Sequence, residues 1–252
     1  MEKVDYDARL HAVYTTGRQM SPAARETWME AFARHLPERR PLVWLDLGSG
    51  TGRLTPSLAD AFGGPVYGVE PSDRMRAQAV AQAGHPAVTY AAGSAERIPL
   101  PAASCDAAVL FFVWHHVRDR EAAALELRRV VKPGGKLFVQ VNFSDKMPDV
   151  WWFRVVPEWF EVDKAQFRST DEVKSDFAGA GWTLVSRDEV TWPRAASLAD
   201  DLQRLKLRAV SVFEHMSEEA AEAGFARIEA ALPTLDAGPQ YETNELFVFQ
   251  RP

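Results

Sequence analysis

The sequence predicts an α/β fold organised around a parallel sheet. Three observations predict it. Residues 43–54, VWLDLGSGTGRL, run from an apolar strand through a glycine-rich turn into a helix start, the arrangement of a nucleotide-cofactor turn in an open α/β sheet. Strand-length apolar runs then alternate with helical patterns as far as residue 141. Residues 106–112 are apolar almost without interruption after Asp106, as a strand buried on both faces of a parallel sheet requires.

Taken in order, residues 1–20 are polar and irregular, with Tyr6, Tyr14 and Arg18 spaced through them. Ser21 and Pro22 form a helix start, serine at the cap and proline at the first helical position. Trp28, Phe32 and Leu36 recur at helical spacing and face a core. Pro37 and Pro41 close that helix. After the glycine turn, a helix carrying Leu54, Leu58 and Phe62 stops at Gly63-Gly64. Residues 66–70 form the second strand, with Ser72 and Asp73 as caps for the next helix. Residues 88–92 form the third strand and residues 106–112 the fourth, with Cys105 at its edge as a small packed residue. A helix over 120–131 breaks at Lys132-Pro133-Gly134-Gly135 before a fifth strand over 136–141.

The remainder is less regular. Aromatic residues concentrate between 145 and 169, at Trp151, Trp152, Phe153, Trp159, Phe160 and Phe167, a composition typical of core or interface. Ser169 and Glu172 have the spacing of a capping box for a helix over 169–181. Residues 182–192 are strand-like. One helix is expected from about 197 to 216, because Leu198, Leu202, Leu205, Ala209, Val212, Phe213 and Met216 follow three- and four-residue spacing. Another covers roughly 218–232, and residues 241–250 form the last strand.

Composition narrows the function classes. The chain has 252 residues, 46% of them hydrophobic, and a net charge of −6, so one α/β domain with accessory pieces accommodates it. No dense Lys/Arg run is present, which disfavours a nucleic-acid partner. No apolar stretch reaches membrane-spanning length, and the polar N-terminus is unlike a signal peptide. The cytoplasm is the expected location. The single cysteine excludes an internal disulfide and a thiolate metal cluster.

The glycine spacing separates cofactors. A dinucleotide fingerprint is G-x-G-x-x-G, whereas here the glycines stand at 48, 50 and 52, with Arg53 next. Glu70 ends the second strand about twenty residues later, where such sheets place a ribose-binding acid. A carboxylate there can accept hydrogen bonds from both ribose hydroxyls. GSAERIPLP follows the third strand, Trp114-His115-His116 follows the fourth, and LRRVVKPGGKLFV precedes the fifth.

In this order, over roughly residues 43–141, these features resemble a class I S-adenosylmethionine-dependent methyltransferase. The branch is the small-molecule one that includes ubiquinone/menaquinone C-methyltransferases. The resemblance implies a Rossmann-like, doubly wound, seven-stranded sheet that is mostly parallel, with an antiparallel last strand and helical or aromatic lid insertions. It implies a single domain: N-terminal cofactor-covering helices over 1–40, a cofactor-binding core over 43–141, an acceptor lid from 145–169 and 197–232, and the last strand over 241–250. The implied cofactor contacts are Asp46, Gly48, Ser49, Gly50 and Gly52 of the turn, Glu70, Pro71 and Met75 after the second strand, Ser94, Ala95 and Glu96 of the adenine loop, and Phe111. Ser94 departs from the usual acid of that loop and offers only a neutral, shorter acceptor. Met75 is equally readable as core. Tyr14 and Arg18 lie where related N-terminal segments fold over the cofactor, Arg18 being alternatively a solvated surface residue.

His115 and His116 are the candidate catalytic residues, as base or orienter, since imidazole titrates near neutral pH. A helix-starting structural role is the alternative. The implied partner is a small, largely apolar or aromatic metabolite, met by a monomer or homodimer with no metal, nucleic acid or membrane. Two other classes stay open: a cofactor-retaining cyclase or binding module, and a nicotinamide oxidoreductase, against which the glycine spacing argues.

Overall fold

The computed structural model describes residues 16–252; Tyr14 lies outside them. The first described helix, α1 (Pro22–Ala33), begins as its sequence demands: the Ser21 hydroxyl accepts from the Ala24 amide at 3.1 Å, with Pro22 in the first turn. Then follow β1 (Trp44–Leu47), α2 (Thr55–Phe62), β2 (Val66–Glu70), α3 (Asp73–Gln82), β3 (Val88–Ala92) and β4 (Cys105–Phe111). After these come α4 (Arg120–Val130), β5 (Val131–Gln140), α5 (Trp151–Val155), α6 (Pro157–Lys164), α7 (Thr170–Gly179) and β6 (Thr183–Ala195). The chain ends with α8 (Leu198–Lys206), α9 (Glu218–Ala231) and β7 (Gln240–Gln250).

The strands form one seven-stranded sheet in the order β3-β2-β1-β4-β5-β7-β6. β1 to β5 pair in parallel, and β7 inserts antiparallel between β5 and β6. The order reverses between β1 and β4, so their carboxyl ends open a crevice where ligands of such sheets bind.

Strand alternation divides the core into two layers. Leu45, Leu110, Val139 and Phe247 point to the layer filled by α4 and α7. Trp44, Val109, Phe138 and Val248 point to the layer filled by α1 and α2, where Trp28 meets Phe111 edge-on at 4.9 Å. Cys105 is buried, and burial pushes its thiol up to about 11, so it stays an inert packed residue. Gly135, inside β5, is needed for close packing: an added Cβ would lie 2.7 Å from the Asp106 carbonyl.

A third core stands apart. The aromatic segment contributes Trp151, Trp152, Phe153 and Trp159, and the later helices contribute Leu202, Phe213, Phe225 and Ile228. The two regions expected to act together therefore share one hydrophobic cluster.

The continuous helix expected over 197–216 is corrected. α8 ends at Lys206, Arg208 takes a left-handed φ of 52°, and a 3-10 turn covers Ser211–His215. Arg208 reaches Glu218 and Glu222 of α9 and covers Phe225. Val212 and Phe213 still enter the same core from the 3-10 turn. The apolar period therefore recorded burial, not helix continuity. The strand expected over 136–141 is also longer, starting at Val131, with a register shift beside Cys105.

Candidate active site

The glycine turn is left-handed three times, with φ of 72° at Gly48, 56° at Gly50 and 78° at Gly52, conformations glycine adopts without strain. Space is restricted as well. A Cβ at Gly48 would lie 2.5 Å from Val113 Cγ2, and one at Gly52 would lie 2.3 Å from the Tyr90 hydroxyl. Gly48→Ala is therefore expected to lower stability by about 1–3 kcal/mol and to weaken S-adenosylhomocysteine binding about tenfold or more. Denaturant melts and calorimetry measure the two effects; an alanine variant equal to wild type in both would refute this account of the turn.

Glu70 braces the turn from the tip of β2. Its Oε2 accepts from the Gly50 amide at 3.0 Å and its Oε1 from the Ser72 amide at 2.9 Å, and the residue is buried. A carboxylate can accept several hydrogen bonds at once, which suits it to a pair of vicinal hydroxyls. Asp46 lies beneath the turn, where its Oδ2 accepts from Thr55 Oγ1 at 2.7 Å. Burial pushes its carboxyl up to about 6, against the Thr55 hydrogen bond and nearby Arg53, which pull it down. Ser49 is buried, and its hydroxyl has no hydrogen-bond partner among the described residues.

Other residues expected at the cofactor follow β2 and β3. Pro71 follows Glu70, the Ser72 hydroxyl caps α3 through the Met75 amide, and Met75 is buried. Ser94 and Arg97 exchange backbone hydrogen bonds at 3.2 Å each, which folds Ala95 and Glu96 into a tight bend. That bend is clamped by α4: Arg129 donates to the Ile98 and Leu100 carbonyls, and Glu126 accepts from the Ile98 amide. The clamp was not legible in the linear sequence, where LRRVVKPGGK reads only as a turn. The extended helical register of Glu126 and Arg129, three residues apart, was the available signal.

β4 ends in a strained residue. Phe112 has a φ of 61°, uncommon for a bulky side chain and concentrated at functional sites. Arg18 lies 5.2 Å and Arg53 5.7 Å from its ring centre. Arg18 thus sits over the end of β4. Phe111 packs on Trp28 and lies 5.2 Å from the Arg53 guanidinium.

Trp114, His115 and His116 form a 3-10 turn, held by the Trp114 indole donating to Asp176 at 3.0 Å. The two imidazoles lie 3.8 Å apart, and His115 meets Phe167 edge-on at 4.8 Å. Burial, then the neighbouring His116 and Arg18 charges, hold His115 well below the usual histidine range. It is neutral near pH 7, and its buried Nδ1 lacks a hydrogen-bond partner among the described residues.

Beside these histidines lies an open-mouthed cavity. Phe112, Trp152, Phe153 and Phe167 supply its aromatic walls, Val210 and Ala209 part of its roof. Arg18, already a candidate from the sequence, also lines it, and the structure adds Asn142, Asp163, Arg194 and Glu242. Arg194 is paired with Asp201 at 3.1 Å and with Glu242, and its guanidinium stacks 4.3 Å from the Trp152 ring centre. Arg194, Glu242, Asp163 and Asp201 come from β6, β7, α6 and α8, so no local motif announced them.

The donor set suits a nucleoside bearing an amino-acid tail: a strand-tip carboxylate for hydroxyls, a close backbone turn, and the buried Ser49 hydroxyl. Among the described residues, no group of three or more His, Cys, Asp or Glu side chains is arranged to hold a metal, and no helix is long and apolar enough to cross a membrane.

Residues 45–139 match the model of a methyltransferase domain. The chain is 30% identical over 169 residues to a ubiquinone/menaquinone biosynthesis C-methyltransferase of Caulobacter sp., spanning 59% of this chain and 67% of that one. Its fold is similar to a putative methyltransferase from an antibiotic biosynthesis pathway of Anabaena variabilis, with a TM-score of 0.68, 22% identity, and coverage of 91% and 99% of the two chains. A phosphoethanolamine N-methyltransferase of Haemonchus contortus, solved with S-adenosyl-L-methionine, gives a TM-score of 0.63 at 18% identity, covering 99% of this chain and 60% of that one.

Proposed function

Because the chain belongs to the class I S-adenosylmethionine-dependent methyltransferases, we propose that it methylates a small, largely apolar or aromatic metabolite in the cavity beside His115. The observation that carries this reading is the placement of that aromatic-walled cavity at the end of β4, one strand from the Glu70-braced turn.

When bound, the cofactor supplies an activated sulfonium methyl. Glu70 would take the ribose hydroxyls, the glycine turn with Asp46 and Ser49 the amino-acid end, and Met75, Pro71 and residues 94–96 the base. Arg18 and Phe111 would close the rim. The lid formed by 145–169 and 197–232 excludes water and aligns the acceptor, which accounts for much of the rate enhancement such a transfer needs.

His115 and His116 act on the acceptor side. The neutral His115 imidazole orients the acceptor by a hydrogen bond; its depressed basicity makes it a poor proton store. His115→Gln is accordingly expected to lower kcat/KM by about tenfold, one hydrogen bond of about 1–1.5 kcal/mol, without moving the pH profile. Loss of about 10²-fold or more together with an altered profile would instead make it the general base. His116→Gln is the matched control.

The deciding experiment has two readings. Calorimetry with S-adenosylhomocysteine against NAD tests the cofactor. Incubation with S-adenosylmethionine and a library of small aromatic compounds, followed by mass analysis, tests the transfer. Binding of NAD alone would end this reading, and so would a methylated polymer as the product.

A further inference from the structure

We infer that Asp163 anchors the acceptor through a hydrogen bond from an O–H or N–H group and takes that proton as the methyl is transferred. The inference rests on the methyl-transfer reading above and assigns the acceptor a neutral, donor-bearing group.

Asp163 lies on α6, in the lid, and lines the cavity together with Phe112, Trp152, Phe153 and Phe167. The residue is only 4% exposed. Among the described residues, the hydrogen bond to its carboxylate comes from Gln166 Nε2, which donates to Oδ1 at 2.9 Å. A buried carboxylate held by one neutral amide is expensive unless it has a further partner. The nearest carboxylates are spent: Glu242, which also lines the cavity, and Asp201 both hold Arg194, and Asp201 also accepts from the Trp151 indole. Asp163 is therefore the acidic group of the cavity wall left for a ligand.

The charges around it select the ligand. Arg18 and Arg194 face Asp163 and disfavour a cationic acceptor; Glu242 and Asp163 itself disfavour an anionic one. His115 and His116 complete the titratable lining. A neutral ring between aromatic walls, donating one hydrogen bond, meets all of these constraints. Burial pushes the Asp163 carboxyl up to about 7, with Arg18 pulling it down and Glu242 raising it, so the group can both release and hold a proton near neutrality.

The transfer balances. The acceptor's O–H or N–H bond breaks and its proton passes to a carboxylate oxygen of Asp163. The electron pair freed on the acceptor forms the bond to the methyl, directly or through a conjugated carbon, and the carbon–sulfur pair remains on sulfur. A cation and an anion both become neutral, a change favoured where burial lowers the local dielectric, as it does around Asp163.

The probe is 4-nitrophenol, whose neutral and anionic forms have distinct absorption bands, titrated into protein saturated with S-adenosylhomocysteine. Wild type is expected to bind it saturably as the neutral phenol, with the bound probe ionising at a pH at least about one unit higher than in water, a tenfold preference. Asp163→Asn is expected to lose that preference and to bind neutral probe about tenfold more weakly, with cofactor-product binding unchanged. Probe bound to wild type as phenolate, or not bound saturably, overturns the inference even if the variant fails to fold. Equal ionisation in both proteins overturns it too. Loss of S-adenosylhomocysteine binding by wild type would instead strike the methyl-transfer reading beneath it.

Discussion

Glu70→Ala is expected to weaken S-adenosylhomocysteine binding by roughly 100-fold or more. The carboxylate contributes twice. It accepts from the Gly50 and Ser72 amides at 3.0 and 2.9 Å, and in the proposed site it also takes the ribose hydroxyls. Hydrogen bonds to a charged group are each worth about 1.5–3 kcal/mol. Alanine removes the ribose contact and also leaves two backbone donors of a buried turn unanswered. A loss of about 3 kcal/mol in binding follows, with a smaller loss of stability because Ser72 still caps α3 through the Met75 amide. Glu70→Gln is informative beside it. Glutamine offers one oxygen where two amides require two, so it recovers only part of the affinity. Calorimetry gives the affinities, and thermal melts show whether the fold is kept. A folded alanine variant that binds within twofold of wild type would remove Glu70 from the site.

Features written in local sequence were readable from it. Ser21, Ser72 and Ser169 cap their helices because a hydroxyl at the cap meets an amide two or three residues on. Strands 66–70 and 88–92 match the structure residue for residue, since each is an apolar run stopped by proline or glycine. The turn and Glu70 were legible for the same reason: their twenty-residue spacing is a geometric property of one strand–helix–strand unit. What stayed hidden depends on contacts between distant segments. Asp163, Arg194 and Glu242 meet only when α6, β6 and β7 are assembled, and singly each reads as an ordinary surface charge. Phe112 read as one more apolar residue of β4, because a left-handed φ leaves no trace in a phenylalanine. The break after Lys206 was hidden because apolar spacing continued across it.

Asp46→Asn is expected to make the protein more stable at pH 8 and to weaken its cofactor binding. The folded-state carboxyl is raised to about 6 by burial, against about 3.9 in an unfolded chain. A raised carboxyl means that the folded state holds a proton the unfolded state has released. Its contribution to stability is complete below pH 4, falls as pH rises through about 6, and is constant above that. A carboxyl raised this far costs the folded state roughly 3 kcal/mol at the upper limit once it is ionised. Asparagine keeps an oxygen for Thr55 Oγ1 and carries no charge, so it escapes this cost. Other groups also titrate here, Asp163 among them, so the difference between wild-type and variant melts is the quantity to follow. That difference should approach about 2–3 kcal/mol at pH 8 and nearly vanish at pH 4. A variant less stable than wild type at pH 8 would mean that Asp46 is ionised and well paired beneath the turn. A buried charge that costs stability is retained where it serves a ligand. The same substitution should therefore raise the dissociation constant of S-adenosylmethionine about tenfold, because the buried carboxylate below the amino-acid end is gone.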